Sequence, residues 1–295
     1  MMPLPDLKSA DVAKARHALP WLRWCMYGII TAAIAYFLWI CANNPNFEWG
    51  VVAQYLTYPS ILVGIRKTLE LTVISMFLGT VLGLVCALGK ISGSLFFNSL
   101  CNGYLWFFRS TPLLVQLLFW YNLAALFPQV YVPFMGTVPT NDVITPMTAA
   151  IIGLSLNEGA FMGEIIRAGL LSVDPNQKET AQAFGMSRLQ IMFRILIPQA
   201  MRAIIPPTGN QVISMVKATA MVSIIAMGDL LYSVQAIYNN TFQIIPLLIV
   251  AVIWYLVITS VLSVIQWGLE RYFNKDRQKN EAAEAGRELK QMEAL

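Results

Sequence analysis

The chain has 295 residues, 57% of them hydrophobic and only 12% charged, with a mean hydropathy of +0.60. Such a composition excludes an ordinary soluble domain, and the apolar runs are long enough to span a bilayer, so an all-α polytopic membrane protein is expected. A net charge of +4 and a pI of about 8.9 raise nucleic acid as a partner, but the placement of the charges, set out below, excludes it.

Residues 1–23 form a polar arm with Lys8, Lys14, Arg16 and Arg23, and with His17, the one histidine of the chain. A single histidine in an arm gives no basis for histidine catalysis or a metal site. The first apolar run, about Trp24 to Ala42, lacks a small-residue cleavage site and reads as a retained span. The loop at 43–59 contains no Lys or Arg. Span two covers about Ile61 to Leu88 and opens on an interfacial piece at Arg66 and Lys67. A loop near 89–103 leads to span three, about Tyr104 to Phe127. Within it, Ser110-Thr111-Pro112 predicts a helix start at Pro112 capped by Thr111 or Ser110, either a simple helix entry or a broken span.

A Pro-rich loop at 128–146 carries Asp142 as its single charge. Span four follows at about Met147 to Leu171, and span five at about Ile205 to Leu230. A short loop holding Asn239 and Asn240 precedes span six, about Ile245 to Tyr272, and residues 273–295 read as a solvated charged tail. About six transmembrane helices are therefore expected. Cys25, Cys41, Cys86 and Cys101 fall in or beside apolar stretches without metal-type spacing, so they read as small lipid- or core-facing residues.

The most polar interior stretch lies between spans four and five, DPNQKETAQAFGMSRLQIMFRILIP at 174–198. Asp174 and Gln177 read as a capping box with Pro175 at the first helical position, and Gly185 suits a left-handed helix end. Ser187 and Gln190 repeat the box, predicting a second helix from about Arg188 to Pro198. Two short capped helices joined at a glycine have the form of a docking element.

Charge placement gives the topology. The loops after spans one, three and five carry no Lys or Arg, whereas the arm, the Lys90 loop, the 174–198 region and the stretch from Arg271 onward are basic. The positive-inside rule then puts both termini and the docking segment in the cytoplasm, with Arg66 and Lys67 as exceptions.

Residues 174–198 resemble the loop motif of bacterial ABC importer permeases: Glu179, Thr180 and Ala181 stand for its E-A-A, followed by Gly185, Ile195, Ile197 and Pro198. Thr180 and Ile197 replace the motif's Ala and Leu. Further stretches resemble the polar-amino-acid subfamily, the histidine/glutamine permease group. These are GIRKTLELTVIS at 64–75, FRSTPLLVQLLFWY at 108–121, GAFMGEIIRAGLLSV at 159–173 and PQAMRAIIPPTGNQVISMVKATAMVS at 198–223. The resemblance covers about 60–272. It implies a five-helix type I permease core at 60–272, preceded by an extra N-terminal helix and outer loop at 24–59. It also implies a partner ATPase dimer docked on the 174–198 loop, a second permease subunit, identical or homologous, and an extracytoplasmic substrate-binding protein. The chain has no G-x-x-x-x-G-K-[ST] phosphate loop, so no cofactor is expected in it: ATP and Mg would belong to the ATPase partner, and the chain would be no enzyme.

Intramembrane polar residues are the candidates for a substrate path. Glu158 lies near mid-membrane and faces either substrate or an interhelical hydrogen bond, while Glu164 and Arg167 are spaced for a structural ion pair. Lys217 stands at the Lys of the subfamily's L-K-D-T-S-L pattern, but Ala218 and Ala220 replace its Asp and Ser. Lys217 would then serve substrate or pair with Glu158. Gln116, Asn122, Asn157 and Thr219 complete the list of path candidates. Gly79 with Gly83 and Gly159 with Gly163 form G-x-x-x-G pairs, read as close-packing faces.

The function expected is inward, ATP-driven translocation of polar amino acids or amino-acid-like compounds. An ion-coupled secondary transporter is the alternative; it would show an inverted repeat with matching acids, and it leaves the docking segment unexplained. A membrane-embedded enzyme would need a cluster of acids or histidines that the sequence lacks.

Overall fold

The computed structural model describes residues 20–134 and 136–293, and side chains within 21–273. Most of the expected N-terminal arm, with Lys8, Lys14, Arg16 and His17, lies outside the described residues, as do the side chains of the tail beyond residue 273. The chain divides into two compact units, Met1–Trp49 and Gly50–Leu295.

In the first unit α1 runs Pro20–Asn43, and its stretch Arg23–Asn43 is long and apolar enough to cross a membrane. A 3-10 turn, Pro45–Phe47, follows under an Asn44 cap, and the Trp49 indole donates to Cys41 O at 3.1 Å.

The second unit opens within α2, Trp49–Tyr55, a short helix inside the expected loop. α3, Pro59–Ile91, is one unbroken helix that carries Arg66 and Lys67 in its first third, and Lys67 pairs with Glu70 at 3.1 Å. α4 already begins at Leu95 and ends at Ser110, which shortens the expected 89–103 loop to a tight turn. α5, Leu113–Tyr121, is followed by a hairpin of β1, Gln129–Val132, and β2, Gly136–Pro139, then by α6, Thr140–Val143. α7 is Pro146–Leu171 and α8 Pro175–Ala183. α9, Arg188–Ile191, passes through a π-helical turn at Met192–Leu196 directly into α10, Ile197–Ala218. A 3-10 stretch, Thr219–Ile225, precedes α11, Leu230–Thr241, and α12 runs from Ile244 to Glu293.

α7 is the centre of this unit. Its apolar window is 61% buried, against 39% for α3 and 17% for α12, which marks α12 as the peripheral span. The α3–α7 seam is close because both helices present glycine. A Cβ on Gly79 would stand 2.8 Å from Glu158 Cβ, and one on Gly83 2.7 Å from Gly163 N. Small residues at such a crossing bring the backbones together and gain dispersion contacts that larger side chains would block. The pairing of 79 with 158 and of 83 with 163 also makes the two helices parallel. One core cluster joins α3, α5, α7 and α10. A second joins Ile61 of α3 to Leu230 and Val234 of α11 and to Leu247 and Val250 of α12.

Two of the six expected spans are interrupted, the third in the broken form that Pro112 left open. Among the described residues four single helices are long and apolar enough to cross a membrane, in α1, α3, α7 and α12, and the pair Arg188–Ile225 with Leu230–Thr241, bent by 45°, makes a fifth if it forms one span. The third expected span is two pieces, α4 and α5, because Pro112 has no N–H to give and pushes Thr111 into an extended conformation (φ −103°, ψ 140°). Span five also breaks, at Ala226 (φ +57°), and Asn239 and Asn240 lie in the last turn of α11, not in a loop.

Candidate functional site

The segment 174–198 is built as a capped turn, with departures. Asp174 accepts from Asn176 N at 2.9 Å, but Gln177 does not complete a box and instead accepts from Gln199 at 3.4 Å. Gly185 adopts φ +73°, and the Gly185 and Met186 amides close the helix end on Gln182 O and Ala181 O. At Ser187 the full capping box forms, with Gln190 N to Ser187 Oγ at 3.3 Å and Ser187 N to Gln190 Oε1 at 2.8 Å.

The second helix does not stop at Pro198. Proline lacks the N–H for the carbonyl four residues back, and the wider π turn at Met192–Leu196 absorbs the mismatch while the chain continues into α10. The element is therefore mechanically continuous with a membrane helix. Ala181 is buried and anchors it, while Phe184, Leu189 and Phe193 are 82%, 72% and 66% exposed. A recess of about 300 Å³ beside Phe184 is lined by Gln177, Thr180, Ala181, Met186 and Ile195, whereas Leu189 and Phe193 line a separate groove of about 700 Å³ with residues of α3, α7, α10 and α12. Phe184, exposed on a capped, polar-flanked turn beside this recess, offers an apolar contact suited to a protein partner.

Three of the polar path candidates, Gln116, Asn157 and Thr219, lie at helix breaks. At the α4–α5 break, Gln116 is buried and its amide donates to Thr111 Oγ1 (2.7 Å), Thr111 O (3.1 Å) and Phe108 O (3.1 Å). Asn157 of α7 donates to the same Phe108 O at 3.0 Å and reaches Gln116 Oε1 at 3.4 Å. These side chains satisfy carbonyls that the missing helical turn leaves open. The expected cap by Thr111 or Ser110 does not form: Pro112 itself occupies the cap position, and Thr111 Oγ1 donates back to Phe107 O at 2.8 Å.

At the second break Thr219 is buried and bonds Val216 O at 2.7 Å. It belongs with a group that sequence reasoning missed. Asp229 is fully buried, caps α11 through Leu231 N (3.2 Å) and Tyr232 N (2.9 Å), and accepts from Tyr255 Oη at 3.4 Å. Thr68 of α3 completes the group by accepting from Leu230 N at 3.1 Å. The signal was present: Gly228-Asp229 ahead of the apolar LLYSV has the form of an N-cap.

Glu158 is 4% exposed, packs across Gly79, and its Oε1 has no hydrogen-bond partner. The pairing of Glu158 with Lys217 is not formed. Lys217 is exposed, and among the described residues no ion pair joins them. Glu164 pairs with Arg167 one turn on, and also with Lys90 of α3 at 3.4 Å. Asn122 is exposed and spends its amide on Leu118 O of its own helix at 2.8 Å.

Residues 79–275 match the family described as binding-protein-dependent transport system inner membrane component. The chain belongs to this family. It is a multi-pass, membrane-spanning permease component of the ABC importer type, a family whose members work with ATPase and substrate-binding partners. The chain is 41% identical over 256 residues to the arginine transport system permease protein ArgU of Corynebacterium glutamicum, covering 86% of this chain and 80% of that one. It is 35% identical over 228 residues to the L-cystine transport system permease protein TcyB of Bacillus subtilis, covering 77% and 92%. A crystal structure of an amino acid ABC transporter with histidines superposes with a TM-score of 0.62 at 36% identity, over 72% of this chain and 94% of that one. An inward-facing methionine transporter, MetNI, shares the type I fold at a TM-score of 0.60 and 19% identity.

Proposed function

We propose that this permease translocates polar amino acids or amino-acid-like compounds inward, driven by a partner ATPase dimer that engages residues 174–198. The observation that carries the coupling role is the capped turn itself: it exposes Phe184, Leu189 and Phe193 and runs without interruption into α10. A displacement applied at the turn is passed to a membrane helix with no floppy joint between. Glu179, Thr180, Ala181, Gly185, Ile195 and Pro198 form this element. ATP and Mg stay with the ATPase, and this chain hydrolyses nothing.

The same reading puts both termini and the turn in the cytoplasm, with 1–23 as an arm, 24–59 as an added helix and outer loop, 60–272 as the permease domain and 273–295 as a tail. A second permease subunit, identical or homologous, completes the pathway, and an extracytoplasmic binding protein delivers substrate. The names of the relatives support an amino-acid cargo. Glu158, Asn157, Gln116, Asn122, Lys217 and Thr219 are the residues proposed along or beside the path, with Glu158 the group for a substrate cation.

Replacing Gly185 with valine tests the coupling role. Its φ of +73° is costly for a β-branched residue, although a Cβ there meets nothing within 4 Å, so the effect is backbone strain confined to the turn. Uptake by the reconstituted importer should fall while ATP hydrolysis continues; unchanged uptake would remove the turn from coupling. Charge reversal at Glu158 should shift preference among acidic, neutral and basic amino acids, and an unaltered preference would take Glu158 out of the path.

A further inference from the structure

An open groove of about 470 Å³ lies between the end of α3, the last turns of α4 and the middle of α7, walled by Lys90, Trp106, Arg109, Ser110, Phe161 and Glu164. Its charges do not balance. Both oxygens of Glu164 are taken, by Arg167 and by Lys90, so one carboxylate serves two cations. Arg109 is exposed and appears in no ion pair among the described residues; its guanidinium stands 5.5 Å from the centroid of the Phe161 ring. With Arg167, which bonds Glu164 from outside the groove, three cations stand against one anion. The C-terminal dipoles of α3 and α4, whose last turns hold Lys90 and Arg109, offset about half a charge each, so roughly one positive charge is left uncompensated.

We propose that this groove binds the phosphate of an anionic phospholipid in the inner leaflet, with Arg109 and Lys90 as its ligands. Lys90, the penultimate residue of α3, marks the cytoplasmic mouth of the groove, and Arg109 lies deeper, over Phe161, about 15 Å before the end of α7. The cytoplasmic placement of these ends rests on the topology proposed above. A cation at such a depth requires a counter-ion, and basic pockets between transmembrane helices on the cytoplasmic side suit anionic headgroups. Trp106, 71% exposed at the rim, provides the aromatic surface that sits at headgroup level. A zwitterionic amino acid fits less well, because Glu164 has no oxygen left for an ammonium group.

The test uses the intact importer, purified with its ATPase and binding protein. Retention of phosphatidylglycerol and phosphatidylethanolamine is counted by native mass spectrometry across a detergent dilution series. Phosphatidylglycerol should be retained in preference, Arg109→Gln should weaken that retention about fivefold, the share of one basic residue, and Arg109→Lys should restore most of it. Retention of phosphatidylethanolamine by the variants reports that the fold and assembly are intact. The side from which Ser94→Cys is labelled by an impermeant maleimide checks the topology separately. Equal phosphatidylglycerol retention in Arg109→Gln, no preference for the anionic lipid, or its release by saturating free amino acid would each overturn the lipid site.

Discussion

The side-chain amide of Gln116 donates to the hydroxyl of Thr111 at 2.7 Å, bridging the two ends of a helix interrupted within the permease domain. The same amide reaches Thr111 O and Phe108 O, so one buried side chain serves the carbonyls that Pro112 leaves without partners. The polar residues that look like a transport path in sequence thus have structural work to do at the breaks.

Replacing Gln116 with leucine should destabilise the permease by about 1–3 kcal/mol, the cost of leaving buried carbonyls unpaired. Asn122→Leu, at an exposed position bonded only within its own helix, should change little. Thermal unfolding of the two variants in detergent checks the difference; equal melting points would show that the Gln116 bonds do not hold the break.

The α3–α7 crossing makes a second contrast. A Cβ on Gly83 would lie 2.7 Å from the backbone nitrogen of Gly163, which cannot move aside without shifting a helix, whereas Gly103 has nothing within 4 Å. Gly83→Ala should cost about 1–3 kcal/mol through overpacking, and Gly103→Ala should be neutral or slightly stabilising. Denaturation of both variants under the same conditions measures this directly.

Much of this was legible in the sequence because it depends on local patterns. Apolar run length located α1, α3, α7 and α12, and the glycine pairs marked the packing seam. Ser187 and Gln190 announced their capping box, and Gly185 its left-handed turn. What the sequence hid depends on tertiary context. Pro198 reads as a helix terminator, yet the π turn before it lets the chain continue. Lys217 and Glu158 look like natural partners by charge alone, but Lys217 is exposed while Glu158 is buried against Gly79. Lys90 is 74 residues from Glu164, beyond any local spacing rule, and joins it only because α3 and α7 pack in parallel. Asp229 is hidden in the sequence because the apolar run at 205–230 reads straight across the break that this residue caps.

On the proposed coupling role, the 174–198 turn, and no surface at the other end of the helices, meets the ATPase. A photo-crosslinking residue placed at Phe184 or at Leu189 in the assembled importer should give adducts to the ATPase subunit, while one at Tyr131, exposed on the β1–β2 hairpin, should give none. ATPase adducts from Tyr131, or their absence from both Phe184 and Leu189, would contradict the account.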